Sequence, residues 1–132
     1  MRQLKTYIVE DSPVIRDNLI ATLEELGPFT VVGCAEDQVT AVQWLSRPEH
    51  HADLVILDIF LKGGSGLGVL RSMHRPAGQS LVVLSNYATK EVRTKCLALG
   101  ADRVFDKSNE IEALIEYCNQ MAHANDETAK EA

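Results

Sequence analysis

The chain has 132 residues, 45% hydrophobic and 24% charged, with a formal net charge of −6. That is the length of one domain and an ordinary globular composition, large enough to bury a core without disulfide or metal staples. An acidic balance with no basic cluster excludes the usual direct nucleic-acid binder, and apolar runs of no more than about four residues leave nothing that spans a bilayer.

Short β-branched runs alternate with segments of helical period. Thr6-Tyr7-Ile8-Val9 reads as a first strand. A helix then runs to about Leu26, with Ser12 as its N-cap and Pro13 in the tolerated first turn. Its apolar stripe is Ile15, Leu19, Leu23 and Leu26, and Gly27-Pro28 stops it. Thr30 to Ala35 is the second strand. Val39, Val42 and Leu45 mark a short helix that closes near Pro48, with Trp44 covering the core. Leu54-Val55-Ile56-Leu57 is the third strand, apolar at every position as suits burial on both faces. A glycine-rich turn, Lys62 to Gly66, leads to a helix carrying Leu67 and Leu70.

Ser80 to Leu84 is the fourth strand. Val92, Cys96 and Leu99 lie on the next helix, which Gly100 closes at C′. Arg103 to Asp106 is the fifth strand. Ile111, Leu114, Ile115 and Cys118 form the stripe of the last helix, with Asn109 and Glu112 as its capping pair. From His123 the stripe is lost and fraying is expected. The domain is therefore expected to span 1–123, with 124–132 a tail or the start of a linker. Cys34, Cys96 and Cys118 lack CxxC spacing and read as buried thiols of a cytoplasmic protein, not as a disulfide or zinc framework. The N-terminus turns acidic at Glu10-Asp11 before a signal-peptide core forms. His50, His51, His74 and His123 lack metal-ligand spacing, and the glycines at 63, 64 and 66 lack the frame of a nucleotide-binding P-loop.

Five strands alternating with five helices predict an α/β fold: a doubly wound, flavodoxin-like parallel sheet of order 2-1-3-4-5. Such sheets carry their sites past the carboxyl ends of the strands, at the switch in strand order between strands 1 and 3. Glu10 and Asp11 follow strand 1, Asp58 follows strand 3, Ser85 follows strand 4 and Lys107 ends strand 5. Three converging carboxylates need a cation, and hard oxygen donors suit Mg²⁺. Acids, metal, hydroxyl and ammonium together describe phosphoryl chemistry. Taken singly, each has an ordinary reading: Asp11 as a helix cap, Asp58 as a turn former, Ser85 as a turn or cap residue, Lys107 as a solvated surface lysine.

Val9-Glu10-Asp11-Ser12, Leu57-Asp58-Ile59 with Gly63 to Leu67 behind it, Leu84-Ser85, Gly100-Ala101 and Lys107, in that order, resemble the receiver domain of two-component response regulators over about residues 4–122. The stretch from Asp58 to Leu67 is similar to receivers attached to helix-turn-helix output domains. The resemblance implies catalytic roles for Asp58 as phosphoacceptor, Ser85 as donor to a phosphoryl oxygen and Lys107 as its charge partner. It implies Mg²⁺ held by Glu10, Asp11, Asp58 and the backbone carbonyl of Phe60. It implies a sensor histidine kinase or histidine phosphotransfer protein as donor, docking near helix 1. The output, to a partner or a homodimer, is implied through helix 4, strand 5 and helix 5, with Arg93, Lys95, Arg103, Asp106, Glu112, Glu116 and Tyr117 as candidates.

Several positions depart from the family. Val104 stands where an aromatic switch residue is common, with Phe105 pointing to the other face. Ser108 replaces a proline, so a cis peptide is not expected. Phe60 and Tyr87 place two rings beside the line of water attack. A phosphorylation-independent interaction module and an aspartyl-phosphate phosphatase or phosphotransferase are the rival readings. Phe60, where such enzymes carry a second aspartate, disfavours the latter.

Overall fold

A computed structural model describes residues 3–73, 75–76 and 78–131, with side chains through 122. Its elements are β1 (Leu4–Val9), α1 (Pro13–Leu26), β2 (Phe29–Ala35), α2 (Gln38–Leu45), β3 (Leu54–Leu57), α3 (Gly66–Ser72), β4 (Ser80–Ser85), α4 (Lys90–Ala98), β5 (Arg103–Asp106) and α5 (Ile111–Glu131). All strand pairs are parallel and the order is β2-β1-β3-β4-β5, as the alternating pattern predicts.

Side-chain alternation along the strands fills two separate cores. Tyr7, Val9, Val55, Leu57, Val83 and Val104 face one layer, where Ala41 of α2, Val69 of α3 and Cys96 of α4 meet them. Ile8, Ile56, Val82, Leu84 and Phe105 face the other, against Leu19 and Leu23 of α1 and Leu114 and Cys118 of α5. The Cys118 thiol is pushed up to about 12 by this burial. Trp44 stacks on Tyr7 at 4.0 Å and on His50 at 4.3 Å, closing the first layer beyond α2.

Local signals explain most boundaries. Ser12 caps α1 by accepting from the Ile15 amide, and Pro13 sits in its first turn. Gly100 closes α4 at φ +107°, a conformation that favours glycine. The start of α5 differs from expectation. The Glu110 carbonyl accepts the Leu114 amide, so Glu110 and not Asn109 stands at the N-cap position. Its carboxylate turns back to accept from the Asp106 amide at 3.0 Å.

Three helix-stripe residues are also less buried than their spacing predicts. Val39 is 65% exposed, Leu26 57% and Ile15 39%. Each lies at or near a helix end. Cys34 is exposed, not buried, because β2 is an edge strand and Cys34 faces outward on it. His74 lies outside the described residues, as do the side chains of His123 and of the expected tail.

The loop after β3 is fixed from three sides. Phe60 and Ser65 form an antiparallel bridge, the Gln38 side chain accepts from the Ser65 amide at 3.0 Å, and the Gln38 amide donates to the Gly63 carbonyl at 2.9 Å. Gly64 takes φ +77° in the turn between. At Gly66 an added Cβ meets the Asp58 carbonyl oxygen and comes within 2.7 Å of Ile59 Cα. Gly66→Ala is therefore expected to cost about 1–3 kcal/mol by overpacking against backbone. Urea unfolding checks this, and a parent-like midpoint would contradict the close approach.

Candidate functional site

The sheet register sets the acids side by side. Val9 pairs with Leu57 at the ends of the two central strands. The next residues, Glu10 and Asp58, are tied down by their own amides: Glu10 N to the Ala35 carbonyl at 2.9 Å, Asp58 N to the Val9 carbonyl at 3.0 Å. Because Ser12 takes the capping role on α1, Asp11 is left free of it. On the other side Ser85 pairs with Asp106, and the Lys107 amide donates to the Ser85 carbonyl at 3.0 Å. Extended backbone thus delivers Lys107 from β5 toward carboxylates on β1 and β3.

Glu10 is 2% and Asp58 8% exposed. The Lys107 ammonium donates to Asp58 Oδ2 at 2.8 Å and to Glu10 Oε1. It is no surface lysine: burial works against its charge, but the hydrogen bonds and attraction of Asp58 and Glu10 outweigh that and raise its pKa. Asp11 titrates above the usual carboxylate range, through burial first, then its hydrogen bond to Glu10 and the repulsion of that neighbour. Each of Glu10, Asp11 and Asp58 offers an oxygen, and these lie within 4.8 Å of one another. On one octahedral Mg²⁺ with bonds of about 2.1 Å, ligand oxygens sit roughly 3–4 Å apart. Oxygens grouped this closely form a cluster capable in principle of coordinating one divalent cation. Three carboxylates against one ammonium leave the negative excess that a divalent cation offsets.

These groups open into a cleft of about 170 Å³ lined by Glu10, Asp11, Ile15, Asp58, Phe60, Asn86, Tyr87 and Lys107. Ser85 is fully buried, and its hydroxyl oxygen accepts from the Tyr87 amide at 3.1 Å. The wall at that strand end is formed by Asn86 and Tyr87. The Phe60 amide donates to Asp58 Oδ1 at 3.3 Å. The Phe60 and Tyr87 rings meet edge to face, centroids 4.9 Å apart, both more than half exposed at the mouth. Asn86 was not singled out from the sequence, although it directly follows Ser85 at a strand end and the strand-end rule reaches it.

The residues expected on the α4–β5–α5 face divide into two sets. Lys95, Glu112 and Glu116 are exposed. Arg103 lies over the Tyr117 ring at 5.1 Å, the Asp106 carboxylate accepts from the Ser108 amide, and Arg93 is turned inward onto backbone carbonyls. Val104 and Phe105 point into opposite cores. No cis peptide occurs among the described residues.

A family model described as the response regulator receiver domain matches residues 6–119. A probable transcriptional regulatory protein of Picosynechococcus sp. is 36% identical over 124 residues, covering 89% of this chain and 48% of that protein. The chain spans about half the length of the curated relatives it matches. Among solved structures, a LuxR-family two-component response regulator from Aurantimonas sp. superposes with a TM-score of 0.80 at 20% identity, covering 92% of this chain and 86% of that one. A response regulator protein from Burkholderia pseudomallei with a phosphorylated aspartic acid and a calcium ion superposes at 0.72 and 20% identity, over 98% and 74% of the two chains. The family match takes in the acid-bearing strand ends, the cleft and Lys107 together, and the chain belongs to the response regulator receiver domain family.

Proposed function

We propose that this domain is a phosphorylation-activated signalling switch with Asp58 as its acceptor. The observation that carries this reading is the Asp58 carboxylate itself. It is nearly buried, held by Lys107 at 2.8 Å, and within reach of two further acids at the mouth of a cleft. An Asp58 oxygen attacks the phosphorus of a phosphohistidine, the P–N bond breaks, and the imidazole leaves with the electron pair. Lys107 neutralises charge on the transferred group, and the Ser85 hydroxyl, once free of its present arrangement, donates to a phosphoryl oxygen. Glu10, Asp11, Asp58 and the Phe60 carbonyl would hold Mg²⁺, which supplies positive charge to the phosphoryl oxygens.

The donor is a sensor histidine kinase or histidine phosphotransfer protein. Support for its docking at α1 comes from Ile15, which lines the cleft and is 39% exposed, and from its chain neighbour Val14, 70% exposed. A neighbouring apolar groove of about 260 Å³ runs between α1 and the start of α5. The output is a change in the α4–β5–α5 face that controls a partner or dimerisation. Residues 1–123 form the receiver unit and 124–132 a tail or the start of a linker. The expected setting is cytoplasmic. Among the described residues no helix is long and apolar enough to cross a membrane.

Incubation with Mg²⁺ and acetyl phosphate is expected to add about 80 Da to the intact mass, one phosphoryl group. Asp58→Asn should show no gain. A gain in that variant would move the acceptor elsewhere. No gain in the folded parent, from either acetyl phosphate or a phosphohistidine donor, would favour a phosphorylation-independent interaction module.

A further inference from the structure

Arg93, on α4, has a side chain 36% exposed, yet all three of its guanidinium nitrogens are bonded within the protein. Its guanidinium spans three elements: Nε donates to the Ala88 carbonyl in the β4–α4 loop at 2.9 Å, one terminal nitrogen donates to the Val104 carbonyl on β5 at 2.9 Å, and the other donates to Glu110 Oε1 at 2.5 Å. The same Glu110 oxygen accepts from the Asp106 amide. Only a planar fork with several fixed donors fills such a set at once. Ala88 lies three residues beyond Ser85, and the loop between them is short and internally bonded. The Tyr87 amide donates to the Ser85 hydroxyl oxygen and the Thr89 amide to the Tyr87 carbonyl at 2.8 Å. A shift of Ser85 toward a phosphoryl group therefore pulls on Ala88, and Arg93 holds Ala88 from the far side. Val104, on whose carbonyl Arg93 also rests, stands where the sequence lacks an aromatic switch.

We propose that Arg93 is a positioning residue that restrains the β4–α4 loop through the Ala88 and Val104 carbonyls and Glu110, and so sets how readily the phosphorylated arrangement is reached. The proposal rests on the reading of Asp58 as phosphoacceptor. A ligand that favours the displaced loop works against the restraint, so loosening it tightens that ligand. Glu110 is part of the same device. Its carboxylate is kept below the usual range by the Arg93 hydrogen bond and then by the Asp106 amide, and it remains a charged anchor at neutral pH.

The test uses beryllofluoride, a phosphoryl mimic, with Mg²⁺ on the full chain. Arg93→Ala is expected to bind it at least about fivefold more tightly than the parent, the scale of an ordinary coupling between sites. Exchange of the Tyr87 and Thr89 amides should be at least about tenfold faster without ligand. Arg93→Lys keeps the charge but cannot reach three separated acceptors from its single nitrogen, so it should shift affinity in the same direction. Glu110→Gln should give a smaller shift, and adding it to Arg93→Ala should change nothing more. A purely structural role would lower the unfolding midpoint without tightening beryllofluoride. An unchanged or weakened affinity in Arg93→Ala and Arg93→Lys overturns the proposal. Absence of beryllofluoride binding in the parent overturns the Asp58 reading and this proposal with it, and is told apart because it appears before any substitution at Arg93.

Discussion

Replacing Lys107 with methionine is expected to slow phosphorylation of Asp58 by at least about 100-fold, the scale seen when one preorganised electrostatic donor is removed. It should also make the fold depend on divalent cation. Methionine keeps most of the length of the stem and removes the charge, leaving Glu10 and Asp58 facing each other with little water. Breaking a buried pair from one side costs about 3 kcal/mol or more, less whatever is recovered when one carboxylate takes up a proton. Urea unfolding with and without Mg²⁺ checks this: the loss should be large without the ion and partly restored with it. The sign with pH follows from the raised pKa of Lys107. In the parent the contribution of the ammonium is fully present below the ordinary lysine value of 10.5 and is lost only as pH rises through the higher folded value. At neutral pH the parent therefore carries the whole effect. A variant with parental phosphorylation rate would remove Lys107 from the chemistry.

Phospho-Asp58 is expected to persist for many minutes or longer. Hydrolysis needs a water in line with the bond between Asp58 and phosphorus, and the Phe60 and Tyr87 rings stand at that mouth in edge-to-face contact. Such a pair supports itself by about 0.5–1.5 kcal/mol beyond its buried area, so one ring holds the other in place. Changing both to alanine should shorten the lifetime at least about tenfold, equivalent to about 1.4 kcal/mol in the hydrolytic barrier. Tyr87→Phe separates two causes. An unchanged lifetime means that the rings act by exclusion, and a changed one means that the phenol hydroxyl binds the water. Decay of the phosphorylated mass gives the number directly, and a half-life of seconds in the parent would end the explanation.

Strands and cleft were legible in the sequence for a common reason. Leu54–Leu57 and Arg103–Asp106 have the bounds expected from their sequence, because consecutive apolar residues are buried on both faces of a covered strand. Once the strand ends are known, parallel pairing brings Glu10, Asp11, Asp58 and Lys107 together without further information. Legibility fails where side-chain direction is decided by distant partners. Arg93 reads as a surface charge until Val104 and Glu110, eleven and seventeen residues away, are seen to take it inward. Asn109 has the better capping chemistry, yet Glu110 holds the N-cap position and bonds back to β5. Cys34 reads as a core thiol by type and is exposed by the accident of lying outward on an edge strand.

The sheet also acts as a partition. Neighbouring residues such as Val82 and Val83 belong to cores that do not touch, with α2, α3 and α4 on one side and α1 and α5 on the other. Along most of the molecule the strand backbone is what lies between the two compartments. At the β5 edge the partition ends, and the bond from Arg93 on α4 to Glu110, at the N-cap of α5, reaches from one compartment to the other. A molecule seated across that edge would register slippage between the two compartments as a single displacement, whichever side chain began it.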